Sequence, residues 1–155
     1  MSARKSIAVL TGAGVSAESG LQTYRDNNGL WNDYDPMVVA SVEGWASDPG
    51  LVLEFYNMRR AELEQTRPNE AHRLIAALEE KYRVDVITQN VDNLHERAGS
   101  THVIHLHGEL TKIRPQNSCN EEDGYSEKLV VDIGYGRVSL GDIAPNGAQY
   151  RPHIV

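Results

Sequence analysis

"TGAGVSAESG" (residues 11–20) follows directly on the apolar run "SIAVL" (residues 6–10) and holds three glycines, two serines and one glutamate in ten positions. A short apolar run stopped by turn residues is the pattern of a strand buried on both faces of a parallel sheet. Gly12, Gly14 and Ala17 then match G-x-G-x-x-G/A after a strand and before a helix, the context that gives this pattern its meaning. Glycines there let the backbone turn sharply and approach a pyrophosphate, whose charge is met by N–H groups at the helix start. Taken alone, the match reads equally well as a plain glycine turn.

Working outward, "RVDVITQN" (residues 83–90) and "THVIHLHG" (residues 101–108) repeat the form of a short β-branched run that ends in polar or turn residues. Two helical stretches lie between the first run and these. In "SDPGLVLEFYNMRRAELEQT" (residues 47–66), Asp48 can cap free N–H groups and Pro49 suits the first turn. Val52, Phe55, Tyr56, Arg59 and Leu63 then fall on one face. In "PNEAHRLIAALEEKY" (residues 68–82), Asn69 is the cap, and Ala71, Leu74, Ile75 and Leu78 are expected to face inward. Alternating strands and helices predict an α/β fold. The chain turns polar from Pro115 to Asp123, and "KLVVDIGYGRVSLGD" (residues 128–142) predicts a β-hairpin around Gly134-Tyr135-Gly136.

With 155 residues, 40% of them hydrophobic and 24% charged, the chain is about one globular domain. A net charge of −7 opposes a general nucleic-acid or anionic-membrane surface, since the overall field repels polyanions. Neither nucleic acid nor membrane is an expected partner. The single cysteine, Cys119, excludes an intrachain disulfide and any zinc site built on several thiolates. The run after the basic "MSARK" is too short for a signal-peptide core, and no stretch nears the roughly 20 apolar residues of a membrane span. A cytoplasmic location is the expectation.

Three segments decide between a glycine turn and a cofactor loop: "GAGVSAESGLQTYRDNNGLW" (residues 12–31), "TQNVDNLHERAG" (residues 88–99) and "HLHGEL" (residues 105–110). In this order and spacing the sequence resembles the sirtuin family of NAD-dependent protein deacylases. The resemblance runs from about Ile7 to His107 and resumes at "RPHIV" (residues 151–155). It implies that residues 1–112 are the N-terminal part of the family's NAD-binding Rossmann-like domain, a parallel sheet flanked by helices. Residues 113–149 are then a small β-rich insert in place of its zinc ribbon, and residues 150–155 begin its next Rossmann strand. The family's later adenosine loops do not follow, so the chain alone is expected to be a poor enzyme. A dehydrogenase is disfavoured, because Trp31 and Asp33 stand where a second strand should end in a ribose-binding acid.

The resemblance also implies site residues. His107 corresponds to the histidine that draws a proton from the ribose hydroxyls, and an imidazole with an ordinary pKa of about 6.5 suits that work. Gly12, Ala13, Gly14, Ser16, Glu18 and Ser19 correspond to the phosphate and ribose loop, with Tyr24, Arg25 and Trp31 on the cofactor loop that follows. Tyr24 departs from the family's usual phenylalanine. Gln89, Asn90 and Asp92 correspond to the pocket for nicotinamide and its ribose. The reaction implied is attack of the acyl-lysine oxygen on the nicotinamide ribose, with nicotinamide and O-acyl-ADP-ribose as products.

Tyr56 and Arg59, at i and i+3, leave the same helix face. They read either as a core tyrosine beside a solvated arginine or, by resemblance to the desuccinylase branch, as a clamp for succinyl, malonyl or glutaryl carboxylates. The expected cofactor is NAD and the expected partners are acyl-lysine proteins or peptides. A non-catalytic NAD-binding fragment and a mono-ADP-ribosyltransferase remain alternatives. His102, His105 and His107 could in principle face a metal, but His105 reads better as a core histidine, and no structural zinc is expected.

Overall fold

The computed structural model describes residues 4–21, 34–116 and 129–155. Strands β1 (Ser6–Thr11), β2 (Arg83–Thr88) and β3 (Val103–His105) form a parallel sheet in that order. Their register aligns Thr11 with Thr88 and Thr88 with His105. The three carboxyl ends are therefore level, and the loops that follow leave from one sheet edge, where open α/β folds gather their ligand-binding groups.

The sheet is not buried on both faces. Val84, Val86 and Thr88 are fully covered, whereas Leu10 and Ile104, in register through Ile87, are 70% and 53% exposed. Burial along β1 alternates instead of running continuously, because the second face has no full cover among the described residues.

Helix α1 (Gly14–Ala17) is a single turn, and α2 (Pro36–Val39) and α3 (Val42–Ser47) are short and capped by Asp35 and Ser41. The long helix α4 (Pro49–Gln65) begins as its sequence predicts: Asp48 accepts the N–H of Leu51 at 2.9 Å and Pro49 opens the first turn. Its packing differs from the one-face expectation. Leu53, Asn57 and Arg60 are buried beside Val52, Phe55, Tyr56 and Leu63, and Arg60, not Arg59, is the fully enclosed arginine. The helix is covered on more than one side, so polar residues fall inside.

Helix α5 (Glu70–Ala77) also departs from expectation. Asn69 caps it, but Leu74 is 59% exposed and Ala71 is exposed, while His72 is the enclosed position. His72 packs edge-on against His95 of α6 (Leu94–Ala98), with ring centroids 4.8 Å apart. Among the described residues, no helix is long and apolar enough to cross a membrane.

A second, antiparallel sheet has β4 (Gly108–Pro115) at its centre, with β5 (Val131–Asp132) and β6 (Tyr150–Ile154) on either side. Two expectations are corrected here. The terminal run does form a strand, but it joins β4 in this sheet and not the parallel one. The hairpin around Gly134-Tyr135-Gly136 has only its first strand, two residues long. The backbone after the turn is held by α4 side chains instead. Asn57 both donates to the Val138 carbonyl and accepts the Val138 N–H, each at 2.9 Å, as a neighbouring strand would. Arg60 donates to the Gly136 carbonyl at 2.8 Å. With its hydrogen bonds met this way, the segment needs no strand partner. β4 runs continuously through the junction at residues 112–113 that the sequence suggested as a boundary.

Candidate functional site

A cavity of about 450 Å³ opens at the carboxyl edge of the parallel sheet. Ala13 and Ser16 from the glycine loop, Gln89, Asn90 and Asp92 from the loop after β2, His107 after β3, and Tyr56 and Arg59 from α4 all line it. Eight residues singled out from separate stretches of sequence thus meet around one cavity. Phe55, Leu63, Leu110 and Ile154 supply its apolar lining. The sequence marks the first two only as core positions of an amphipathic helix.

The glycine loop and the loop after β2 are tied directly. Asn90 Nδ2 donates to the Gly12 carbonyl and to Ser16 Oγ, both at 3.1 Å. Ser16 Oγ donates in turn to Asp92 Oδ2 at 3.0 Å, and Asp92 Oδ1 accepts the Leu94 N–H at 3.1 Å. Ser16, Asn90 and Asp92 are all buried, so these bonds are made in a low-dielectric setting that strengthens them. The Asn90 N–H bonds Thr88 Oγ1 at 3.0 Å, and the Val91 carbonyl accepts the Leu110 N–H at 2.8 Å. A polar turn in sequence is here a braced structure.

Among the described residues, a side-chain carbon added at Gly14 would meet nothing within 4 Å. Glu18 is exposed, and Ser19 Oγ accepts from Asn69 Nδ2 at 3.0 Å; neither lines the cavity. Asn69 Nδ2 also donates to the Val15 carbonyl at 2.7 Å, so the cap of α5 doubles as a tether for the glycine loop. Tyr24, Arg25 and Trp31 lie outside the described residues, as does Cys119.

His107 Nδ1 meets the Gln89 carbonyl at 2.9 Å, and His105 Nδ1 meets the Asn90 carbonyl at 2.8 Å. The following Gly108 has φ +85°, and a side chain there would collide with the His153 carbonyl of β6. Only glycine lets the chain turn from His107 into β4 at that contact.

On α4, Arg59 pairs with Glu62 at 2.7 Å in a largely covered position. Burial pushes the Tyr56 hydroxyl up from its ordinary pKa of 10, against the opposing charges of Arg151, Arg59 and Arg60. Tyr56 is therefore a neutral phenol at physiological pH, able to donate a hydrogen bond.

Behind the site, His95 Nε2 bonds Thr11 Oγ1 at 3.0 Å, joining α6 to the end of β1. Sequence reasoning did not single out Thr11, Thr88 or His95. Their partners lie across strands and helices, so no local pattern marks them. Among the described residues, one trio could offer ligand atoms to a metal: Glu96, His105 and Glu109, within 4.8 Å of one another. Both His105 nitrogens are already engaged, by Asn90 and Glu96, and Glu109 pairs with Lys112.

Comparison with known proteins gives this fold a family. The Sir2 family model matches residues 12–154. An NAD-dependent protein deacylase of Bacteroides thetaiotaomicron is 51% identical over 153 residues, which is 97% of this chain and 63% of the relative. Among solved structures, a Sir2 homologue mutant in complex with ADP-ribose superposes with a TM-score of 0.81 at 38% identity, covering 98% of this chain and 59% of that one. A Sir2 homologue–NAD complex gives 0.79 at 39% identity, with 98% and 57% covered. The chain thus spans about three-fifths of the length of these proteins. Over that span, from the glycine loop to β6, it belongs to the Sir2 family.

Proposed function

We propose that this chain carries the nicotinamide-ribose and acyl-lysine part of an NAD-dependent protein-lysine deacylase. The observation that carries this reading is the single cavity shared by His107, the Ser16–Asn90–Asp92 network and the Tyr56–Arg59 pair. The residues fit the cofactor: polar groups converge at the sheet edge, and no described residue lies within 4 Å of a side-chain carbon placed at Gly14, where a pyrophosphate would approach. NAD, when bound, would supply the ribose C1′ at which an acyl oxygen bonds as nicotinamide leaves.

The chain's own residues do the rest. Asn90 and Asp92, held by Ser16 and by the Leu94 N–H, present fixed amide and carboxylate groups that orient the ligand without reorganising. His107, with Nδ1 committed to the Gln89 carbonyl, keeps its lone pair on Nε2 as a general base for a ribose hydroxyl. Arg59 and the neutral Tyr56 hydroxyl offer donors for an acyl carboxylate, which favours succinyl, malonyl and glutaryl lysine alongside acetyl.

The deciding experiment incubates the protein with NAD and a succinyl-lysine peptide and weighs the products. Nicotinamide, free lysine peptide and O-succinyl-ADP-ribose are expected, at a higher rate in a chain extended to the length of its relatives. NAD binding by the extended protein without turnover of any acyl-lysine peptide would reduce the reading to a binding module.

A further inference from the structure

His105 is not a site residue by resemblance, yet both nitrogens of its ring are engaged next to the candidate site. It alternates with His107 along the chain, and the two rings grip consecutive carbonyls of the loop after β2, Asn90 and Gln89. The difference lies at the other nitrogen. His105 Nε2 is 2.8 Å from Glu96 Oε1, and the His105 side chain is only 6% exposed.

A neutral imidazole carries one N–H and one lone pair, so it can satisfy only one of two facing acceptors. A carbonyl oxygen and a carboxylate oxygen, each at 2.8 Å, require two N–H groups. We propose that His105 is a positioning residue which acts as an imidazolium, gripping the Asn90 carbonyl so that the Asn90 side chain stays aimed at Gly12 and Ser16. The consequence for NAD rests on the function proposed above. The grip itself rests only on the geometry.

The surroundings support the charged form. Burial alone pushes the His105 pKa down, but the Glu96 carboxylate, the Asn90 carbonyl and the charge of Glu109 more than reverse this, so it lies above 6.5. Glu96 faces it from α6 and Glu109 from β4. Lys112 is paired with Glu109 and partly offsets its charge, and His95 on α6 lies within electrostatic reach. With the folded pKa raised, the imidazolium persists to higher pH than in an unperturbed histidine and is lost as pH rises through the folded value. The loop should loosen on the alkaline side and stay braced on the acid side.

The test is nuclear magnetic resonance of this chain with labelled histidine and asparagine, from pH 6 to pH 9. His105 should show both nitrogens protonated at pH 6 and a midpoint above 6.5, lowered in Glu96→Gln. The Asn90 side-chain amide should move with the same midpoint, and that movement should vanish in His105→Gln. A lone pair on His105 Nε2 at pH 6, an Asn90 amide blind to the His105 titration, or uptake of stoichiometric zinc at Nε2 would overturn the grip. In calorimetry, NAD affinity should fall at least threefold between pH 6.5 and pH 9 in the unaltered chain and stay level in His105→Gln; equal slopes overturn the positioning role. Failure of NAD to bind at any pH, both to this chain and to one extended to the length of its relatives, overturns the proposed function instead, and the grip then stands or falls on the resonance midpoints.

Discussion

His107 Nδ1 and the carbonyl oxygen of Gln89 are 2.9 Å apart, and this one bond fixes the tautomer of the ring. A carbonyl can only accept, so the proton sits on Nδ1 and the lone pair on Nε2. The same bond ties the ring to the loop that carries Asn90 and Asp92. Base and ligand-holding groups are therefore set by a common piece of backbone, with no need for a carboxylate to orient the histidine.

From this follows a separation of binding and chemistry. In a chain extended to the length of its relatives, His107→Ala should lower the turnover of acyl-lysine by at least about 100-fold, the lower end of general-base contributions. NAD affinity, read by calorimetry, should change by less than about threefold, because Asn90 and Asp92 are braced by other partners. Undiminished turnover would remove His107 from the mechanism.

Arg59→Met tests the acyl clamp. Only succinyl-type groups carry a carboxylate, so the variant should lose succinyl-lysine turnover far more than acetyl-lysine turnover. Leaving a buried carboxylate without its partner costs about 2–5 kcal/mol. The existing pair with Glu62 already occupies part of the guanidinium, which places the expectation at the lower end of that range. Comparable losses on both substrates would make Arg59 a structural residue.

The helices and sheets were legible to different depths. Strand positions, the Asp48 cap and the loops that end at Asn90 and Gly108 follow from local patterns, because a buried strand and a capped helix are specified by their own residues. The inward set of α5 was misread. His72 is enclosed by its ring contact with His95, a residue 23 positions away that no helical period reports. The missing hairpin strand has the same origin: Asn57 and Arg60 replace a strand partner, and their role appears only when α4 meets residues 136–138. At the candidate site, the motifs named the residues, but the Ser16–Asn90–Asp92 connections and the Asn69 tether needed the fold.

Arg60 is where that tertiary substitution can be measured. It is fully buried and donates to the Gly136 and Leu110 carbonyls and to Asn57 Oδ1. Burial, with the nearby charge of Arg137, brings its pKa down to about 10, still protonated at neutral pH. Arg60→Met removes three donors, two of them from the buried acceptors Leu110 O and Asn57 Oδ1, and should cost about 2–4 kcal/mol, lowering the thermal midpoint by roughly 5–12 °C. Circular dichroism melts of this variant and of Arg59→Met make the comparison. A loss no larger in Arg60→Met than in Arg59→Met would mean that the acceptors find other partners.

The histidines behind the site give stability a pH dependence of defined sign. Burial lowers the pKa of both His72 and His95 below 6.5, chiefly by disfavouring the charged ring, and His72 Nε2 and His95 Nδ1 have no hydrogen-bond partner among the described residues. The unfolded chain then binds protons more readily than the folded one between the folded values and about 6.5, so stability rises with pH across that window and falls on acidification through it. His105 runs the opposite way, since its raised pKa contributes stability below about 6.5 that is lost only as pH climbs through the folded value. The carboxyl pKa values of Glu79 and Glu96 are lowered from 4.5, so their contribution is lost at more acid pH than that of the histidines. Between pH 7 and pH 5, the urea midpoint of this chain should therefore drop. In His72→Gln the drop should be smaller, even though the variant starts from a lower midpoint. Parallel pH curves for the two proteins would show that His72 takes up its proton without unfolding pressure, and that the pair of buried rings is not what limits the fold in acid.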